Sequence, residues 1–189
     1  MNQLQRALLG SICLIATSAT PALAQKTYAL GLGGGLSIPV GKLSDTQKNG
    51  YNALVTLAIG VADLPVGVRF DVIYNNLPRN NDVVVPTSPG GATTNFNLRV
   101  GGALANLVFA FPGTSAKAYI LAGGGLYNSK LNVDGAKAQN NFGFNGGLGT
   151  TFGSGPFALF IEARYHSVSR SAAKGGVYQF VPITLGLLF

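Results

Sequence analysis

Large apolar side chains recur at every second position in eight stretches of this chain, with small or polar residues between them. A period of two marks a β-strand, because successive side chains point to opposite faces. The first stretch, 27–40, carries Tyr28, Leu30, Leu32, Leu36, Ile38 and Val40 on one face and small residues or proline on the other. The second, 51–61, aligns Tyr51, Ala53, Val55, Leu57, Ile59 and Val61. The third, 66–75, sets Val66, Val68, Phe70, Val72 and Tyr74 against Gly67, Arg69, Asp71, Ile73 and Asn75. In the fourth, 96–111, Phe96, Leu98, Val100 and Leu104 alternate with Asn97, Arg99, Gly101 and Ala103; the phase blurs near Asn106, which predicts a bulge there. The fifth, 117–128, is rich in glycine, so its facing stays open, although Tyr119, Leu121 and Tyr127 share a face. The sixth, 142–152, opposes Phe142, Phe144 and Leu148 to Gly143, Asn145, Gly147 and Gly149. The seventh, 157–168, opposes Phe157, Leu159, Ile161, Ala163 and Tyr165 to Ala158, Phe160, Glu162, Arg164 and His166. The eighth, 178–189, runs Val181, Ile183, Leu185, Leu187, Phe189 on one face, against Pro182, Thr184 and Gly186.

The connections alternate in length. Segments 62–65, 112–116 and 153–156 are tight and rich in Gly, Pro, Asp and Ser, whereas 41–50, 76–95, 129–141 and 169–177 are longer. Membrane barrels have short periplasmic turns and longer outer loops. The pattern therefore predicts an all-β fold: an eight-stranded antiparallel transmembrane β-barrel in meander order, with both termini periplasmic.

Composition narrows the choice. Only 10% of residues are charged, against roughly 25% in an average soluble domain. Mean hydropathy is +0.33, yet after residue 24 no segment approaches the ~18 uninterrupted apolar residues of a membrane helix. Those facts conflict for a soluble domain and for a helical membrane protein. They agree for a barrel, whose strands need one apolar face and ~10 residues to span. Residues 1–24 read as a signal peptide: Arg6, then an apolar core, then Ala22-Leu23-Ala24 before Gln25. Residues 25–189 are then one barrel domain. Cys13, the single cysteine, lies in the leader, so no disulfide or Cys-ligated metal is expected in the mature chain.

The two faces settle which side is out. A soluble lipocalin-like barrel keeps its bulky apolar residues inside. Here the second face is Gly, Ala, Asn and a few charges, which suits a narrow lumen filled by side chains. Arg69, Asp71, Arg99, Glu162 and Arg164 are placed there as an ion-pair network. The third and seventh strands lie opposite each other in an eight-strand ring, so their charges should meet; a charge buried unpaired costs several kcal/mol. Aromatics near strand ends should form two interfacial girdles: Tyr28, Tyr51, Tyr74, Phe96, Phe111, Tyr127, Phe152, Phe157, Tyr165, Tyr178 and Phe189.

The terminal alternation ending on Phe189 resembles that of outer-membrane β-barrels, and the whole chain after residue 24 resembles the small OmpX/OmpA-like barrel family. The resemblance implies a cell outer membrane location in a Gram-negative envelope. It also implies that Val181, Ile183, Leu185, Leu187 and Phe189 are the signal read by the barrel insertion machinery. It points to a non-enzymatic role in envelope integrity or adhesion, with no cofactor. The alternatives are a narrow pore and a lipid-modifying enzyme. The segment 164–169 distantly resembles lipid A deacylases, which pair His with Ser two residues on; here that residue after His166 is Val168, while Ser167 and Ser169 are off the spacing.

Other motifs carry less. Gly31-Leu32-Gly33-Gly34-Gly35 lacks the last glycine of a dinucleotide fingerprint, and Gly41-Lys42 is followed by Leu43, so neither is a phosphate loop. Glu162 is the only glutamate, and no His, Cys or Asp cluster has metal-ligand spacing. The outer loops hold Lys42, Lys48, Arg79, Lys130, Lys137, Arg170 and Lys174 against Asp45, Asp82 and Asp134, a net +4. Such a rim would attract lipopolysaccharide or another anionic surface ligand; scattered cations outside the cell do not suit nucleic acid. The expected partners are thus outer-membrane lipid and lipopolysaccharide, the insertion machinery and an extracellular surface ligand, with the chain a monomer.

Overall fold

The computed structural model describes residues 26–61, 64–80, 97–113, 116–132, 136–153, 157–170 and 176–189. The expected leader, 1–24, together with Phe96 and Lys174, lies outside the described residues. Eight strands follow in order: β1 Lys26–Val40, β2 Gly50–Val61, β3 Val66–Leu77, β4 Leu98–Ala110, β5 Ala116–Leu131, β6 Gln139–Phe152, β7 Ala158–Val168 and β8 Tyr178–Leu188. Each pairs antiparallel with the next, and β8 closes on β1. Among the described residues no helix is long and apolar enough to cross a membrane; a short 3-10 turn, Gly41–Leu43, follows β1.

Closure answers a backbone problem. In hydrocarbon an unpaired N–H or C=O has no water to turn to, so a spanning sheet cannot keep an edge. The seam runs from Gly31↔Leu188 to Val40↔Gln179. The last residue completes it: Leu30 N donates to Phe189 O, and Phe189 N to Leu30 O, both at 2.8 Å. The β7–β8 ladder is interrupted between Ala163↔Ile183 and His166↔Phe180. Pro182 lies in that gap and has no N–H to give.

Side chains sort as the alternation predicts in β1, β2, β3, β6, β7 and β8. Leu32, Val72, Phe144, Leu148 and Leu185 stand exposed on the outer face. An uncovered apolar belt around a closed sheet is the lipid-facing surface of a membrane barrel. β4 reverses the expectation. Leu98, Val100 and Leu104 are buried in the lumen, and Arg99 points outward. Nor is there a bulge at Asn106, since both ladders of β4 run unbroken through it. In β5 Tyr119, Leu121 and Tyr127 do share a face, and it is the lumen face.

The girdle expectation is corrected at two positions for the same reason. Tyr127 is fully buried inside the barrel. Tyr178 packs against the interior cluster rather than facing lipid. Tyr28, Tyr51, Tyr74, Phe111, Phe152, Phe157, Tyr165 and Phe189 remain exposed near strand ends.

Candidate functional site

The interior is the candidate site, and it is built in layers. At mid-height β3 and β7 face each other across the lumen, and the alternation of each strand sends two charged residues inward. Arg69 reaches Asp71 on its own strand at 3.1 Å and Glu162 across the barrel at 2.7 Å. Arg164 reaches Asp71 across the barrel at 2.8 Å and also contacts Glu162. Each arginine therefore touches both carboxylates, and the four close into an electroneutral ring. All four side chains are buried.

Two neutral groups complete the ring. Tyr119 Oη donates to Glu162 Oε2 at 2.8 Å, and Asn106 Nδ2 donates to Asp71 Oδ2 at 2.8 Å. Tyr119 fits because the facing residue on β6 is Gly149; a Cβ there would collide with the Tyr119 hydroxyl and ring. An ion pair in low dielectric is held better as more of its lone pairs are bonded, and these donors add one bond to each carboxylate, while Asp71 Oδ1 keeps only its ionic contact with Arg69.

Above the ring lies a mixed layer. His166 stacks flat on Phe180, with centroids 4.9 Å apart and planes 2° from parallel. Its Nδ1 lies 2.8 Å from Tyr127 Oη. Thr184 Oγ1 donates to Asn52 Oδ1 at 2.9 Å, and Ser37 Oγ to Asn75 Oδ1 at 3.1 Å. A void of about 10 Å³ between Asn75, Glu162, Arg164 and His166 has room for about one water.

The mouth at the end of the longer connections is shut by an apolar cap. Leu43, from the 3-10 turn, is buried together with Leu77, Leu98, Val100, Val168 and Phe180. The turn can bend inward because Gly41 adopts φ +59°, a left-handed conformation that suits glycine. Backbone bonds then tie its loop to the start of the next: Lys48 N donates to Pro78 O at 2.7 Å and Asn80 N to Thr46 O at 2.8 Å. Gln47 and Arg79 form an antiparallel bridge. The opposite mouth holds a cavity of about 230 Å³, lined by Ala58, Gly60, Val108, Tyr119 and Phe160, which ends at Arg69.

The structure brings Arg69, Asp71, Glu162 and Arg164 together and leaves Arg99 out: it lies on the lipid side of β4. Sequence reasoning missed Tyr119, Asn106, Tyr127 and Leu43. Only Asn106 had signalled itself, as a polar residue that broke the apparent phase. His166 faces the lumen and Ser167 the other side of the strand, so the pair does not converge. Among the described residues no group of His, Cys, Asp or Glu could hold a metal ion.

The expected loop cations are spread out. Lys42, Lys48 and Lys137 are exposed, and Lys130 is exposed within β5 rather than in a loop. Arg79 belongs to the bridge with Gln47, and Arg170 sits 4.0 Å over the ring of Tyr178. Of the proposed insertion signal, Ile183, Leu185, Leu187 and Phe189 are exposed to lipid and Val181 is half-buried on the same face.

No family model matches the chain, and no curated protein matches it in sequence. Solved structures do. Neisserial surface protein A superposes with a TM-score of 0.63 at 15% identity, covering 86% of this chain and 97% of its own. A major outer membrane protein from Thermus thermophilus gives 0.55 at 11% identity, covering 87% and 98%. Identities this low speak to architecture, and the architecture agrees with the strand count, the meander closure and the apolar belt. The chain has the fold of the small eight-stranded outer-membrane β-barrels.

Proposed function

We propose that this chain is a non-enzymatic outer-membrane protein whose barrel is a sealed scaffold, serving envelope integrity or contact with surface ligands through its loops. The observation that carries the reading is the filled lumen. The Arg69–Asp71–Glu162–Arg164 ring blocks the middle and the Leu43 cap blocks one end. Eight strands leave an interior just wide enough for side chains, and here they occupy it. A conducting role would require both blocks to open. Catalysis on lipid would require a nucleophile beside His166, whose bonded neighbour is instead Tyr127.

The four longer connections face the outside and the three tight turns face the periplasm, as in membrane barrels generally. The partners are outer-membrane lipid, lipopolysaccharide and a surface ligand met by the loops, and the barrel works as a monomer. Planar-bilayer recording tests the seal. Wild type should give no steady conductance, and Arg69→Ala/Arg164→Ala should give some once Leu43→Gly has removed the cap as well. A large steady wild-type conductance would overturn the reading. Labelling Lys137 from outside intact cells tests the orientation.

A further inference from the structure

The reversal of β4 puts an arginine where a lipid barrel has little reason to carry one. Arg99 points outward near the loop end of β4, and its cross-strand partner on β5 is Lys130, also exposed. Directly paired residues on one face have Cβ atoms about 5 Å apart, and like charges in that position repel. Among the described residues no carboxylate pairs with either. Beside them, Asn128 Nδ2 donates to Asn140 Oδ1 at 2.6 Å, extending a polar shelf onto β6. The shelf begins one step beyond the aromatic level, since Tyr74 pairs with Gly101.

Below the shelf the outer wall changes character. β4 offers Gly101, Ala103 and Ala105 to lipid, and β5 offers Ala122 and Gly124. The β4 row runs between Val72 of β3 and the exposed Leu126 of β5, and below Leu126, at Gly124, it opens toward a shallow groove lined by Ala122, Gly124, Phe142 and Phe144, whose two rings meet edge to face at 5.0 Å. From Arg99 to Ala105 is roughly 20 Å along the strand. At a tilt of about 40° that descends about 15 Å, half of the ~30 Å hydrocarbon core. A cation pair at head-group height and a row of small residues reaching the midplane have the dimensions of one leaflet's lipid.

We infer that Arg99, Lys130 and the row of small residues beneath them bind a lipid with a phosphomonoester head group, the phosphate seated between the two cations and an acyl chain lying along Gly101, Ala103 and Ala105 beside Leu126, its end reaching the groove at Gly124 against Phe144. Charge chooses the head group. Two adjacent unpaired cations match a phosphomonoester, which carries about −1.5 to −2 at neutral pH, better than a phosphodiester with a single charge. The site deepens the proposed contact with outer-membrane lipid and rests on that reading for the leaflet alone. Its test is independent of lumen conductance, so either can fail without the other.

Native mass spectrometry of the full-length mature barrel in detergent can read the site, with phosphatidic acid and phosphatidylglycerol of matched chains as probes. Phosphatidic acid should be retained at least tenfold more tightly. Arg99→Gln/Lys130→Gln should weaken its retention roughly 30-fold, the effect of two cations near a charged lipid surface. Ala105→Phe, which interrupts the row of small residues, should also weaken it, and Lys137→Gln should not. Heat-dependent gel mobility confirms that each variant is folded. Equal retention of the two lipids would overturn the inference, as would retention unchanged in folded Arg99→Gln/Lys130→Gln or in folded Ala105→Phe.

Discussion

Replacing Glu162 by Gln tests the ionic ring most directly. The change is nearly isosteric, so packing is kept and one negative charge is removed. Glu162 now meets Arg69, Arg164 and Tyr119. Without its charge the ring holds two guanidinium groups against Asp71 alone, a net +1 in a closed interior. Breaking a buried pair by removing one partner costs about 3–5 kcal/mol, mostly because the other charge stays buried. We expect Glu162→Gln to lose that much. Arg69→Met/Glu162→Gln removes the diagonal pair and leaves Arg164 with Asp71, which are 2.8 Å apart. The double variant should therefore lose less than the two single losses combined, by about 2 kcal/mol, within the usual range for coupled neighbours. Urea unfolding in micelles, followed by far-ultraviolet circular dichroism because the chain has no tryptophan, gives all the free energies. Additive single losses, or a Glu162→Gln barrel within about 0.5 kcal/mol of wild type, would refute the ring as a stabilising unit.

Deleting Phe189 should slow assembly in cells more than Leu187→Ala does, because Phe189 closes the seam with Leu30; equal stability losses without an assembly delay would contradict this. Gly149→Ala should cost about 1–3 kcal/mol in micelle unfolding by driving Tyr119 off Glu162, and adding Tyr119→Phe should not rescue it, because the ring carbon Cζ still meets the new Cβ. Tyr127→Phe should cost about 1–3 kcal/mol, since His166 Nδ1 loses its 2.8 Å partner. His166→Asn should leave the acyl number of lipid A in producing cells unchanged; a change seen by mass spectrometry would revive the enzyme reading.

Strand count, closure, and the facing of six strands were legible because lipid demands one simple thing of the outer face. Arg69, Asp71, Glu162 and Arg164 were legible because strands three and seven oppose each other in any eight-strand ring. β4 was not, and its reason is physical. The rule that bulky means lipid-facing assumes a small, polar lumen. Near the mouth that carries the longer connections the lumen is instead filled by Leu77, Leu98, Val100 and Phe180 around Leu43, while the lipid-side wall of β4 turns small at Gly101, Ala103 and Ala105. Both faces of the strand invert together, so the alternation is intact and only its sign is wrong. Leu43 was illegible for another reason: nothing local distinguishes a loop leucine that turns inward from one that does not. Tyr119 and Gly149 are a matched pair across β5 and β6, and such matching shows only once the register is known.

The strap between the first two long connections gives that end of the barrel two kinds of loop. Residues 41–48 are fastened twice, by Leu43 inside the mouth and by the bonds to Pro78 and Asn80 outside it. Change in that segment is felt in the interior: an epitope inserted between Gly41 and Gln47 would draw Leu43 out and expose the apolar layer beneath. The connection between β5 and β6 is held at its start, where Asn132 N donates to Asn97 O at 2.8 Å, but none of its described residues enters the apolar cap. Surface variation, whether by selection or by display engineering, is thus free to accumulate there, while the first loop remains tied to the integrity of the barrel itself.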